Sequence, residues 1–246
     1  MMNPITQNRL HELGLTGMVR ALELQLQQTD MQRLSFEERL GMLLDAECSA
    51  RNTHRIERHL KAAKLRYGQA SLEEINYLPA RKLEQGLVMS LADCGWIDRR
   101  QNLIITGATG TGKSWLACAF AVQACRLGKA VFYTTSTQLF ESLAMAQADR
   151  SLPRLRRQLI RKELLVIDDL GLGGIDPALG PTLLEIVDLQ ANHGSLLLTS
   201  QFPTDNWYPQ FGDPTVADAI LDRIVHRAHH IKLQGESMRK LKGKKS

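Results

Sequence analysis

Apolar positions follow two regimes along the chain. Up to about residue 67 they recur at helical spacing. In LTGMVRALELQLQQ (15–28), Leu15, Met18, Leu22 and Leu26 share one side of a helix. Ser35-Phe36-Glu37-Glu38 is a capping-box pattern, in which the Ser hydroxyl and a Glu carboxylate satisfy free N–H groups at a helix start. It predicts a long helix through Leu40, Leu43, Leu44 and Cys48, and on past Ile56 and Leu60. A short polar stretch, SLEEINYLPARKLEQG, runs to Gly86. Beyond it the apolar runs shorten and alternate with helical patterns. Strands are expected at 102–106, 130–135, 164–168, 195–200 and 229–233. Ser136 is placed to cap one helix, and Pro177 and Pro181 suit the first turn of another. Asp213-Pro214 reads as a cap followed by proline at the first helical position. Strand–helix alternation with short strands rich in Ile, Leu and Val implies a parallel sheet covered on both faces. The expected organisation is a helical domain at 1–67, a linker at 68–86 and an α/β domain at 87–246 with a basic tail.

Composition narrows the class. The chain has 246 residues, 43% hydrophobic and 23% charged, enough for one sizeable core and a helical appendage. No apolar run approaches the roughly 18 residues of a membrane span, and the first thirty residues are polar, so a cytoplasmic protein without membrane contact is expected. None of the four cysteines forms a C-x-x-C pair, which argues against structural zinc; Cys118 and Cys125 read as small buried apolar residues. The net charge of +5 is mild, but its distribution is uneven. Arg51, Arg55, Arg58, Lys61, Lys64 and Arg66 face one acid, Glu57, and the tail holds Arg239, Lys240, Lys242, Lys244 and Lys245. Arg154, Arg156, Arg157, Arg161 and Lys162 form a further cluster. Such concentration is what a footprint for a polyanion looks like; a solvated helix face is the plainer alternative.

The chemistry centres on GATGTGKS, Gly107 to Ser114, between an apolar strand and a helix. It matches G-x-x-x-x-G-K-[ST] in full. Gly107, Gly110 and Gly112, with Ala108, Thr109 and Thr111 between them, let the backbone turn its N–H groups onto phosphate oxygens. The helix N-terminus adds partial positive charge. Lys113 suits the β and γ phosphates, and the Ser114 hydroxyl suits Mg²⁺. ELLVIDDLG supplies acids at a strand end: Asp168 for the Mg²⁺ shell, Asp169 for orienting or deprotonating water. Thr199, Ser200 and Gln201 compete as γ-phosphate sensors, with Gln201 and Ser200 favoured. Arg223 or Arg227, on the helix before the last strand, could complete a neighbouring subunit's site, and Arg223 is favoured. His226, His229 and His230 lack partners at metal-ligand spacing and read as structural or phosphate-facing.

GATGTGKS, ELLVIDDLG, LLLTSQF and LDRIVHRAHHIKLQGESMR together resemble the AAA+ ATPases of the helicase-loader and initiator branch. LHELGLTGMVRALELQLQQ and LSFEERLGMLLDAECSARNTHRIERHLKAAKLR are similar to the helical domain of IstB-like ATP-binding proteins, relatives of the DnaC helicase loaders. The resemblance implies an ATP-dependent regulator of transposition. Such a protein binds duplex DNA with low sequence specificity, self-assembles on it with ATP, and presents it to an IstA-like transposase. The alternative in the same branch is a DnaC-like loader of a replicative helicase. The resemblance further implies ATP and Mg²⁺ as cofactors, Lys113, Ser114, Asp168 and Asp169 as ATPase residues, Arg223 as a finger in trans, and Arg239 as a second γ-phosphate contact. It places the nucleotide base near Trp96 and Ile97. Asp169 stands where many AAA+ proteins carry Glu, which implies slow hydrolysis; close relatives often carry Asn at the position of Gln201. Only a dozen residues follow Gln234, so no C-terminal lid domain is expected.

Overall fold

A computed structural model describes residues 2–171 and 176–238. The chain divides into two compact units, Met1–Arg58 and His59–Ser246. The helices are α1 Pro4–Glu12, α2 Thr16–Gln27, α3 Phe36–Ala63, α4 Gln85–Leu91, α5 Gly95–Asp98, α6 Lys113–Arg126, α7 Ser136–Ala148, α8 Leu152–Ile160, α9 Gly180–His193 and α10 Pro214–Val225. The strands are β1 Asn102–Gly107, β2 Val131–Thr135, β3 Leu164–Leu170, β4 Ser195–Ser200 and β5 Ala228–Leu233.

In the first unit, the expected capping box opens α3. Glu38 N–H donates to Ser35 Oγ (3.3 Å), and Ser35 N–H donates back to Glu38 Oε2 (2.8 Å). The start of α2 is held by Glu47 of α3, whose Oε2 accepts from Gly17 N–H (2.8 Å) and Met18 N–H (3.2 Å). Gly17 is required there, because a Cβ would stand 2.6 Å from Ala46 O.

In the second unit, all five strands run parallel in the order β2-β3-β4-β1-β5. Alternate strand residues feed two apolar layers. Leu103, Ile105, Val166, Leu197 and Ile231 pack with α6 on one face, while Ile104, Leu165, Ile167, Leu196 and Leu198 pack with residues of α7 to α10 on the other. The stretch expected to be a linker belongs to the first layer: Ala70, Leu72, Ile75 and Leu83 are buried in it. The expected caps hold at α10, where Asp213 Oδ1 accepts from Thr215 and Val216 N–H. At α7 the cap lies one residue earlier than expected. Thr135 makes the capping box with Gln138, and the Ser136 hydroxyl instead reaches Asp169 O (2.8 Å).

Candidate nucleotide site

A cavity of about 460 Å³ opens at the C-terminal edge of the sheet. One wall is the loop between β1 and α6, contributing Thr109, Gly110, Gly112, Lys113 and Ser114. The loop depends on left-handed glycine geometry. Gly110 has φ +83 and Gly112 φ +96, and a Cβ on Gly110 would fall 2.3 Å from Ser237 Oγ. Gly107, Ala108 and Thr111 do not line the cavity but shape the loop. Ala108 O accepts from Thr111 Oγ1 (2.8 Å) and from Lys113 Nζ (3.1 Å). Burial pushes the Lys113 ammonium pKa down, with the charges of Asp169 and Asp168 opposing the shift.

The acids sit where β3 is interrupted. The β3–β4 register pairs Ile167 with Leu198 and Leu170 with Ser200, so one extra residue is accommodated in β3. Asp168 and Asp169 therefore both meet Thr199. Thr199 Oγ1 donates to Asp168 Oδ1 (2.5 Å) and accepts from Asp169 N–H (2.9 Å). Asp168 is fully buried, and its Oδ2 accepts from Tyr133 OH (2.7 Å). Burial and that bond push the phenol pKa up. Asp169 has φ +58, an uncommon conformation for a residue with a side chain, and lines the cavity. Its backbone is fixed on both sides, by Thr199 at the N–H and by Ser136 at the carbonyl.

β4 lies between β1 and β3, so its C-terminal end runs beside the phosphate loop. Gln201 lines the cavity, and its Oε1 accepts from Thr109 Oγ1 (2.6 Å). Ser200 is buried and donates to Leu170 O, away from the cavity. Thr199, which sequence reasoning ranked below both, holds the two acids. Tyr133 was missed altogether, since a tyrosine inside an edge strand carries no signal of its own.

The other wall comes from Arg66, Tyr67, Glu74, Asn76 and Arg81, with Trp115 and Met238 alongside. The base was expected near Trp96 and Ile97, which do not line this cavity. Trp96 and Ile97 are core residues, and the Trp96 indole N–H donates to Leu91 O (3.2 Å). Arg223 was expected to act in a neighbouring subunit's site rather than in this cavity. Arg223 does not line the cavity; its guanidinium pairs with Asp188 of α9 and donates to Ala219 O (2.8 Å). Arg239 lies outside the described residues, as do the tail lysines. His226 pairs with Asp222 and His229 with Gln101, and none of the three histidines lines the cavity. Cys118 and Cys125 are buried in α6, where burial pushes their thiols up to about 11 and about 12.

The donor set fits a nucleoside triphosphate and a hard cation. Backbone amides, a helix N-terminus and Lys113 suit phosphate, and a hydroxyl with a carboxylate suits Mg²⁺. A parallel sheet with the phosphate loop after β1 and acids on a strand beyond an inserted β4 defines an AAA+ P-loop nucleotide-binding protein. The profile of the IstB-like ATP binding proteins matches residues 8–246, and the chain belongs to that family. An insertion sequence ATP-binding protein of Sinorhizobium fredii (y4pL) is 42% identical over 98% of each chain. One from insertion sequence IS1162 of Pseudomonas fluorescens is 43% identical over 83% of this chain and 88% of its own. Among solved structures, DnaI superposes with a TM-score of 0.58 at 18% identity, covering 68% of this chain and 92% of that one. The DnaC helicase loader gives 0.53 at 15%, covering 69% and 99%. These likenesses show the fold.

Proposed function

We propose that the chain is an ATP-dependent regulator of transposition. In this reading it assembles on duplex DNA with low sequence specificity, delivers that DNA to an IstA-like transposase, and uses slow ATP hydrolysis to control the assembly. The observation that carries this reading is the family itself, IstB-like ATP binding proteins, joined to a cavity lined by the phosphate loop, Lys113, Ser114 and Asp169. In α3, Arg55, Arg58 and Lys61 are exposed and pair with no acid among the described residues, which supports a DNA-facing role. Arg51 is less available, being paired with Glu47.

Within the site, Gly107 to Gly112 with Lys113 would hold the triphosphate, and Ser114 with Asp168 would hold Mg²⁺. The cation supplies charge neutralisation on the phosphate oxygens when bound. Thr199 and Tyr133 hold the Asp168 carboxylate turned in place. Asp169 orients the attacking water and accepts its proton at the carboxylate. Gln201 reads the γ-phosphate through its link to Thr109. Arg223 acts in a neighbouring subunit's cavity, leaving Asp188 to do so.

Electron microscopy of the protein with duplex DNA, with and without non-hydrolysable ATP, tests the reading. Nucleotide-dependent rings or filaments on DNA are expected, and their absence would sink it. Recovery of a replicative helicase but no transposase in a pull-down would move the protein to the helicase-loader alternative. Neutralising about six to ten phosphates predicts roughly a 10³–10⁵ loss of DNA affinity between 50 and 200 mM salt, with little sequence preference. A flat salt response counts against DNA contact by these cations.

A further inference from the structure

The stretch before the sheet carries a cation that no motif announces. Arg81 ends the short 3-10 turn Pro79–Arg81 and is only 6% exposed. Its Nη1 donates to Asn76 O (2.7 Å) and its Nη2 to Thr111 O (3.1 Å). Both partners are neutral carbonyls. Its Nε is buried without a hydrogen-bond partner, and no carboxylate pairs with it among the described residues. Burial pushes the guanidinium pKa down. A buried cation without a counter-charge is unfavourable, and a native chain retains one where an anion arrives to meet it.

The position of Arg81 says which anion. It lines the cavity and stands against the last turn of the phosphate loop, where a Cβ on Gly112 would be 3.2 Å from Nη2. The carbonyl it holds, Thr111, precedes the start of α6, the part of such loops that cradles the α and β phosphates rather than the γ. Met238 N–H donates to Gly110 O (2.8 Å) and holds the loop from outside, and Gln234 N–H donates to Arg81 O (3.0 Å). The carbonyls of 110 and 111 are thus turned to these partners, while Thr111 N–H donates to Ala108 O (3.4 Å).

We propose that Arg81 is a nucleotide-binding residue whose guanidinium supplies counter-charge to the α- and β-phosphates that ATP and ADP share. This rests on the chain's binding ATP and is independent of any role on DNA.

The test is titration of full-length Arg81→Gln and Arg81→Lys with ATP and with ADP, beside the parent protein and with melting curves for each. Glutamine removes the charge and keeps one shorter donor; lysine keeps the charge. The expected result is a loss of about ten- to hundredfold for Arg81→Gln, by the same factor for ATP and ADP, with partial recovery in Arg81→Lys. Loss for ATP alone would make Arg81 a reader of the γ-phosphate and overturn the proposal. Unchanged affinity in Arg81→Gln would reduce Arg81 to a brace and overturn it equally. Failure of the parent protein to bind ADP would instead count against the nucleotide site as a whole.

Discussion

The two walls of the cavity are built on different principles. The loop wall is eight consecutive residues, Gly107 to Ser114, whose shape follows from glycines at fixed spacing and a helix that begins at Lys113. The other wall comes from residues 66 to 81, a stretch with little regular structure beyond the 3-10 turns Leu72–Glu74 and Pro79–Arg81. What positions it is burial: Ala70, Leu72, Ile75 and Leu83 insert into the layer that covers α6. A wall made by local chain geometry serves any phosphate and is shared by unrelated proteins. A wall made by tertiary packing depends on residues far apart in the chain, and there discrimination among nucleotides should reside.

Three variants would break or sharpen that contrast. The largest effect is expected outside both walls. Arg223→Ala should lower hydrolysis by the assembled protein roughly 10³–10⁵-fold while leaving ADP affinity unchanged. Normal turnover in that variant would mean that the two walls suffice without a neighbour. Next, Asp169→Asn should slow turnover by about 10²–10⁴-fold with ATP still bound, which single-turnover assays against binding isotherms would read. Weakened binding with an unchanged rate would place Asp169 in the holding machinery instead. The smallest effect is expected at Trp96→Phe. Losing the indole bond to Leu91 O and some core volume should cost about 1–3 kcal/mol of stability in denaturant unfolding and leave nucleotide affinity alone. A specific loss of affinity would place the base in the neighbourhood of Trp96.

Much of this molecule is legible from residue pattern. The five strands, the α3 and α10 caps and the loop are local features, each set by spacing or by a residue's own hydrogen-bonding chemistry. Residues 68–86 were not legible, because a polar stretch with isolated apolar residues looks the same whether it spans solvent or is pinned to a core. Arg81 and Tyr133 were hidden for a related reason, since their importance depends on partners 30 and 35 residues away. The role of Thr199 was not legible either, because it depends on one local irregularity. The extra residue in β3 brings both acids to Thr199 and leaves Ser200 bonded to Leu170 O.

That irregularity also restricts the alphabet at position 199. A single oxygen there gives a hydrogen to Asp168 and takes one from Asp169. A hydroxyl meets both demands with one atom. Amides divide the two tasks between separate atoms, and Val leaves a backbone N–H and a carboxylate wanting. Between the two aliphatic hydroxyl residues, the β-branched one suits a strand interior better. A saturation library at this codon, selected for hydrolysis, should therefore return Thr, then Ser, and little else.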